Sequence, residues 1–186
     1  GPCPASCEHL GPRHRGPSVS SLLQASLDAH PDTFAVVDQR GTTTWAELDD
    51  RVRRLIAALR SRGLVEGDCV VAMLGNQVEL VEVSLACMQA GWLLVPVNWH
   101  WVADEVRYVL DDAAAAAVVV DARFVEVVRE ALEGPDAPAV DVRIAVRAGH
   151  DAASAGMDDY DQLLAAADGP WTDAPARGGP MFYTSG

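Results

Sequence analysis

Four short apolar runs, each separated from the next by a stretch with room for a helix, constrain this chain most. They are CVVAML at 69–74, LLVPV at 93–97, AAVVV at 116–120 and VRIAV at 142–146. CVVAML is apolar without alternation, as in a strand buried on both faces of a parallel sheet. Parallel neighbours cannot be joined by a tight turn; they need a crossover, usually a helix. The intervening segments supply it. Thr44 and Glu47 form a capping box, and Leu48, Val52, Leu55, Ile56 and Leu59 then share one helical face, with Gly63 placed to stop it. The opposite face, with Asp49, Asp50, Arg53, Arg54 and Arg60, reads as solvated. A second helix from about Val78 to Ala90 is apolar nearly all round and so buried, with Asn76 and Glu79 as its expected caps. Asp104 to Asp112 is a third. Asp121 is placed to cap a fourth, striped by Phe124, Val127, Val128, Ala131 and Leu132 and stopped by Gly134-Pro135.

Before this core lie a helical stripe (Val19, Leu22, Leu23, Leu27) that stops ahead of Pro31, and a hairpin of FAVVD and TTTW around QRG. After it, DYDQLLAAAD is a short helix. A Pro/Gly-rich connection over 169–180 leads to MFYTSG, whose Met181, Phe182 and Tyr183 read as the end of a buried strand. No internal repeat interrupts the series. The expectation is an α/β fold with a mostly parallel sheet flanked by helices on both faces.

Composition narrows the partners. The 27 acidic residues face 14 cationic ones, all arginine, for a net charge of −13. With no basic run, nucleic acid is not expected as a partner, and no apolar stretch approaches the roughly 20 residues that span a bilayer. Without lysine the chain holds no Schiff-base lysine and no GxxxxGK[ST] loop, and it has no GxGxxG. Cys69 and Cys87 sit in apolar segments as small core residues. Cys3 and Cys7, with His9 and His14, can be arranged as a zinc cluster, but the spacing fits no common finger, and residues 1–17 read as a flexible tail or a protease scar left by expression. Nothing requires disulfides, so a cytoplasmic location is expected.

Residues 42 to 120 carry a more specific signal. TTTWAEL, GLVEGDCVVAMLGN, ACMQAGWLLVPVN and DEVRYVLDDAAAAAVVVD, in this order and spacing, resemble the start of the adenylate-forming superfamily: acyl-CoA synthetases, luciferases and nonribosomal adenylation domains. MFYTSG is similar to the opening of that family's phosphate-binding signature. VPVNWHW followed by an acidic helix looks most like fatty-acyl-CoA and related acyl- or aryl-CoA synthetases. One departure is Val102, where the family often has a Thr to cap the helix carrying Glu105.

The resemblance implies that residues 18–186 form the N-terminal α/β part of a larger enzyme, truncated within its phosphate-binding loop. It implies ATP-dependent activation of a carboxylic acid, fatty or related, to an acyl-adenylate, then transfer to coenzyme A, with Mg²⁺ on the nucleotide. The partners are then the small-molecule acid, ATP and coenzyme A; a homo-oligomer is left open. The phosphates that leave in the first step need hydroxyl and backbone N–H donors. Thr184, Ser185 and Gly186 are the residues of this chain matched to that task, as the ATP/pyrophosphate-binding site. No catalytic or metal-binding residue is assigned within the chain, which alone is expected to be inactive. Two other readings stand beside this one: a non-catalytic α/β interaction module or remnant, and an adenylation domain that loads a carrier protein.

Other residues admit a site or a structural reading. His100 can be a general base or a loop histidine beside aromatic packing, and the loop reading is preferred. Trp92, Trp99 and Trp101 can form a ligand platform or pack a core, and packing is preferred. Asn98 is read as fixing the turn after Pro96. Asp111 and Asp112 are read as solvated, and Glu66 and Asp68 as a turn before a strand.

Overall fold

The computed structural model describes residues 19–149, 151–171 and 178–183. Helix α1 (Val19–Ala29) precedes a hairpin of β1 (Phe34–Asp38) and β2 (Gly41–Thr44), antiparallel with Asp38 opposite Gly41. Trp45, expected in the hairpin, instead opens α2 (Trp45–Ser61). The reason is the capping box: Thr44 Oγ1 accepts from the Glu47 N–H at 3.3 Å, and Glu47 Oε2 accepts from the Thr44 N–H at 2.8 Å. The chain continues through β3 (Cys69–Met73), α3 (Val78–Ala90), β4 (Leu93–Pro96), α4 (Ala103–Asp112), β5 (Ala115–Asp121) and a 3-10 turn (Ala122–Phe124). Then come α5 (Val125–Ala131), β6 (Val142–Val146), α6 (Asp151–Ser154), β7 (Asp158–Asp159), α7 (Tyr160–Ala165) and β8 (Gly179–Pro180).

Six strands form one sheet in the order β7-β6-β5-β3-β4-β8, and every pairing is parallel. The expected α/β architecture is therefore present. Alternation along β3 sends Val70 and Ala72 to one face, with Leu55, Ile56, Leu59, Val83 and Ala86 of α2 and α3. It sends Val71 and Met73 to the other, with Val106, Leu110, Val125 and Val128 of α4 and α5. Cys69 and Cys87 are buried free thiols, and burial pushes the Cys87 pKa up to about 12.

Three further expectations are corrected. Asn76 and Glu79 do not cap α3. Its N-cap is Gln77, with no side-chain cap bond, and the Val78 N–H is met by Asp38 Oδ2 from the hairpin at 3.3 Å. Glu79 is buried and turned towards arginines. The strand after the Pro/Gly-rich connection ends at Pro180. Met181 N–H still donates to Leu94 O at 2.7 Å, but Phe182 is exposed. Arg60, assigned to a solvated face, has its guanidinium over two indoles, 5.8 Å from the Trp92 ring centroid and 5.7 Å from that of Trp171.

Strand order decides where a ligand can enter. From β3 the chain crosses to β4 on one side; from β5 it proceeds to β6 on the other. Connections that leave neighbouring strands in opposite directions open a crevice at their carboxyl ends, the general ligand position in parallel sheets. In this molecule that crevice lies between β3 and β5.

Candidate active-site cleft

The crevice holds a cleft of about 530 Å³. Gly75, Asn76 and Gln77 line it from the loop after β3, Trp99 from the loop after β4, Asp121 and Arg123 from the end of β5, Arg147 from the end of β6, and Asp38 from the hairpin.

Two guanidinium groups dominate its polar surface, and both are paired. Asp121, buried at the strand end, accepts from Arg123 Nε at 2.9 Å, from Arg123 Nη2 at 3.1 Å and from the Arg123 N–H at 2.9 Å. Burial pushes the Asp121 pKa up, but these bonds outweigh it and hold the carboxyl below its ordinary value. Arg147 follows β6 in the left-handed region at φ 63°. Its Nη2 meets Asp38 Oδ2 at 2.9 Å and Glu79 Oε2 at 2.8 Å. The N–H of Arg40 on Asp38 Oδ1, at 2.8 Å, is the main reason that the Asp38 carboxyl lies below the usual range; burial opposes it, and the Val78 N–H and Arg147 add to it. The cleft therefore presents arginine edges whose charge is already balanced, which suits hydrogen-bonded recognition more than capture of a bare anion.

Two groups are uncommitted to such pairs. Gln77 is buried, and its Nε2 has no hydrogen-bond partner among the described residues. A buried donor without an acceptor costs about 1–3 kcal/mol, which a ligand carbonyl, hydroxyl or ring nitrogen would relieve. Trp99 is 48% exposed. Its ring meets that of His100 at a tilt of 32°, with centroids 3.4 Å apart, and lies stacked 6.1 Å from Phe124, over which Arg123 sits at 5.0 Å. An exposed indole at the mouth of a polar cleft is a surface for a planar ring.

The residues weighed in the sequence fall out differently. Asn98 fixes its turn as expected, its Oδ1 accepting from the His100 N–H at 3.0 Å. Trp92 is core and Trp101 is half-buried, whereas Trp99 lines the cleft. Asp112 is exposed and accepts from Tyr183 Oη at 2.6 Å, a bond that is the main cause of the Tyr183 pKa rising to about 12. Asp68 Oδ2 accepts from the Val65 N–H, as a turn residue. Thr184, Ser185 and Gly186 lie outside the described residues, as do Cys3 and Cys7. Sequence reasoning missed Asp38, Gln77, Arg123 and Arg147 as cleft residues. The available signal was position, since each follows or ends a strand. No three His, Cys, Asp or Glu side chains among the described residues converge to hold a metal ion, so none is assigned to Mg²⁺. No helix among them is long and apolar enough to cross a membrane.

A parallel sheet opened at a switch point, with a polar cleft at its carboxyl edge, is the arrangement in which α/β domains hold small ligands. Residues 23–186 match the family model of the AMP-binding enzymes, and the chain belongs to that family. It is 33% identical over 134 residues to the medium/long-chain-fatty-acid–CoA/3-oxocholest-4-en-26-oate–CoA ligase of Mycobacterium tuberculosis, covering 72% of this chain and 24% of that one. It is 32% identical over 123 residues to the fatty acid–[acyl-carrier-protein] ligase ScoC of Streptomyces coeruleorubidus, covering 64% and 24%. The crystal structure of a benzoate CoA ligase from Burkholderia xenovorans LB400 superposes with a TM-score of 0.73 at 25% identity, over 86% of this chain and 30% of that one. The chain thus spans 24% of the length of either curated relative. Those relatives include ligases for coenzyme A and for an acyl-carrier protein.

Proposed function

We propose that this chain is the N-terminal α/β portion of an acid–thiol ligase that activates a carboxylic acid with Mg-ATP and passes the acyl group to coenzyme A. The observation that carries this reading is the family match continued through β8. That strand lies parallel to β4, so the chain leaves it towards the same sheet edge as the loops after β3, β4 and β5. Thr184, Ser185 and Gly186 follow in sequence, and the reading assigns them to the phosphates of ATP. Hydroxyls and a backbone without a Cβ let the chain close around phosphate oxygens. Mg²⁺, bound with the nucleotide, supplies charge neutralisation on those oxygens.

The cleft at the switch point stands between β3 and β5, more than two strand spacings from β8 in sheet order, or about 12 Å at roughly 4.8 Å per strand. The reading therefore gives it to the second substrate, the nucleotide-bearing thiol. A base can stack on Trp99, and Gln77 Nε2 can donate to an acceptor on the same ligand. The fatty character of the acid follows the mycobacterial relative. ScoC, a ligase for an acyl-carrier protein, favours a second reading in which the acceptor is a carrier-bound thiol.

The test uses the longest polypeptide that the reading frame encodes. Labelled pyrophosphate is expected to exchange into ATP only with both Mg²⁺ and a carboxylic acid present. Silence across a panel of fatty and aromatic acids would overturn the ligase reading. Offering coenzyme A and phosphopantetheinylated carrier proteins in parallel then separates the two acceptors.

A further inference from the structure

Between α7 and β8 the chain must travel from one edge of the sheet to the other, because β7 and β8 are its two end strands. The described residues at either end of that crossing are fastened to α2 and α3. The Trp171 N–H donates to Arg53 O at 3.1 Å, and Arg53 Nη1 donates back to Trp171 O at 3.2 Å. Two turns further along α2, the Arg60 guanidinium lies over both the Trp171 and the Trp92 rings and donates through Nη2 to Ala90 O at 3.1 Å. Ala90 is the last residue of α3, where carbonyls lack intrahelical donors and a cation is favoured. The incoming backbone meets the same helix end. Gly178 N–H donates to Met88 O at 3.2 Å, and Gly179 N–H to Trp92 O at 3.1 Å. The approach is so close that a Cβ on Gly178 would stand 2.0 Å from Cys87 O and 2.3 Å from Trp92 O.

Arg60 thus joins α2 to Trp171 and to the C-terminus of α3, the same helix end on which Gly178 sits. β8 itself has only two residues, too few ladder bonds to set its own position. We propose that Arg60 is a positioning residue: by holding Trp92, Ala90 O and Trp171 to α2 it fixes the end of α3 on which Gly178 sits, fixes the register of β8 beside β4, and so aims the residues that follow β8 at phosphate. The last clause rests on the assignment of Thr184–Gly186 above; the seating of β8 does not. The planar guanidinium is what the place requires. An ammonium would keep the charge and the bond to Ala90 O but cannot stack on two indoles at once.

Two measurements test this separately. In the present chain, hydrogen exchange is followed at the Gly178, Gly179 and Met181 amides in wild type, Arg60→Lys and Arg60→Met. Loss of the stack is expected to speed exchange at these three amides on the order of tenfold in Arg60→Met, less in Arg60→Lys, with the Val70–Met73 amides unchanged. A uniform rise across the sheet, or no rise at all, overturns the proposal. In the adenylating enzyme, the KM for ATP in pyrophosphate exchange is expected to rise on the order of tenfold in Arg60→Met, with thioester formation from supplied acyl-adenylate unchanged. Equal loss in both half-reactions overturns the positioning role. If the wild-type enzyme shows no exchange, the phosphate assignment falls, while local loosening at Gly178–Met181 still upholds Arg60 as the residue that seats β8.

Discussion

Under α2, α3 and α7 the sheet buries two glutamates and a tyrosine hydroxyl; under α4 and α5 it is lined by Val71, Met73, Val95, Val106, Leu110, Val118 and Val128. The second face is held by apolar area, at roughly 25 cal/mol per Å², and such a face tolerates exchange of one aliphatic shape for another. The first is held by pairs that admit one arrangement. Glu82 takes Arg51 Nε at 2.6 Å and Tyr160 Oη at 2.7 Å. Glu79 takes Arg147 Nη2 at 2.8 Å and Arg40 Nη1 at 3.3 Å. These partners come from α2, α7, the end of β6 and the hairpin, so α3 is tied to four parts of the chain. The same helix has its N-terminus at the cleft and its C-terminus under β8. The difference teaches that the face which positions the candidate site is the one carrying buried charge, where a slipped registry would strand a charge.

The sharpest way to break this contrast is to remove one charge. Glu82→Leu leaves Tyr160 Oη without its acceptor and Arg51 with only Asp161, and is expected to cost about 4 kcal/mol in urea unfolding. Adding Arg51→Met and Tyr160→Phe should recover most of that loss, because a matched apolar replacement removes the stranded groups. Recovery with unchanged hydrogen exchange at Gly178–Met181 would count against the registry argument. On the apolar face, Leu110→Ala is expected to cost about 3 kcal/mol and to yield no such second-site rescue by polar residues. Trp99→Ala in the adenylating enzyme should raise the KM for the thiol substrate about tenfold by loss of base stacking, leaving pyrophosphate exchange unmoved; a matched loss of exchange would place the indole elsewhere in the reaction.

Smaller effects sharpen the comparison at the rims of the two faces. α4 starts at Val102, whose N–H donates to Glu105 Oε2 at 3.0 Å but whose side chain offers no oxygen in return. Val102→Thr should complete the box and add about 1 kcal/mol to thermal stability. Asp38, with its pKa held below the unfolded value of about 3.9, stabilises the hairpin's seat on α3. That contribution is fully present above the unfolded pKa and is lost as pH falls through the lower folded one. Protection of the Val78 amide, taken against the intrinsic exchange rate at each pH, should therefore fall selectively on acidification below about pH 4, and Asp38→Asn should flatten the trend.

Much of the fold was legible because it is local. VRIAV became β6 with the same bounds, and the Thr44–Glu47 box started α2 where its spacing required. What was missed is non-local. The cleft assembles residues from the hairpin and from the ends of β3, β4, β5 and β6, and no periodicity links Asp38 to Arg147 across the intervening chain. Glu79 and Glu82 were within reach, since two charges inside an apolar helix demand partners, but their identities were not. Arg60 stood on a charged face with Arg53 and Arg54, and nothing along the helix separates the residue that lies over Trp171 and Trp92 from neighbours paired with Asp49 and Asp50.

The place of β8 beside β4 has a consequence for synthesis. β3, β5, β6 and β7 can add to one another in the order in which they leave the ribosome, whereas β4, paired with β3 on one side, waits for its second partner about 80 residues downstream, on the order of 4–16 s at ordinary translation rates. Throughout that interval the outer edge of β4 is an unpaired strand in a nascent chain, the kind of edge that recruits wrong neighbours. The carbonyls of Trp92 and Leu94, which later accept from Gly179 and Met181, are the groups a chaperone or a neighbouring nascent chain would find first.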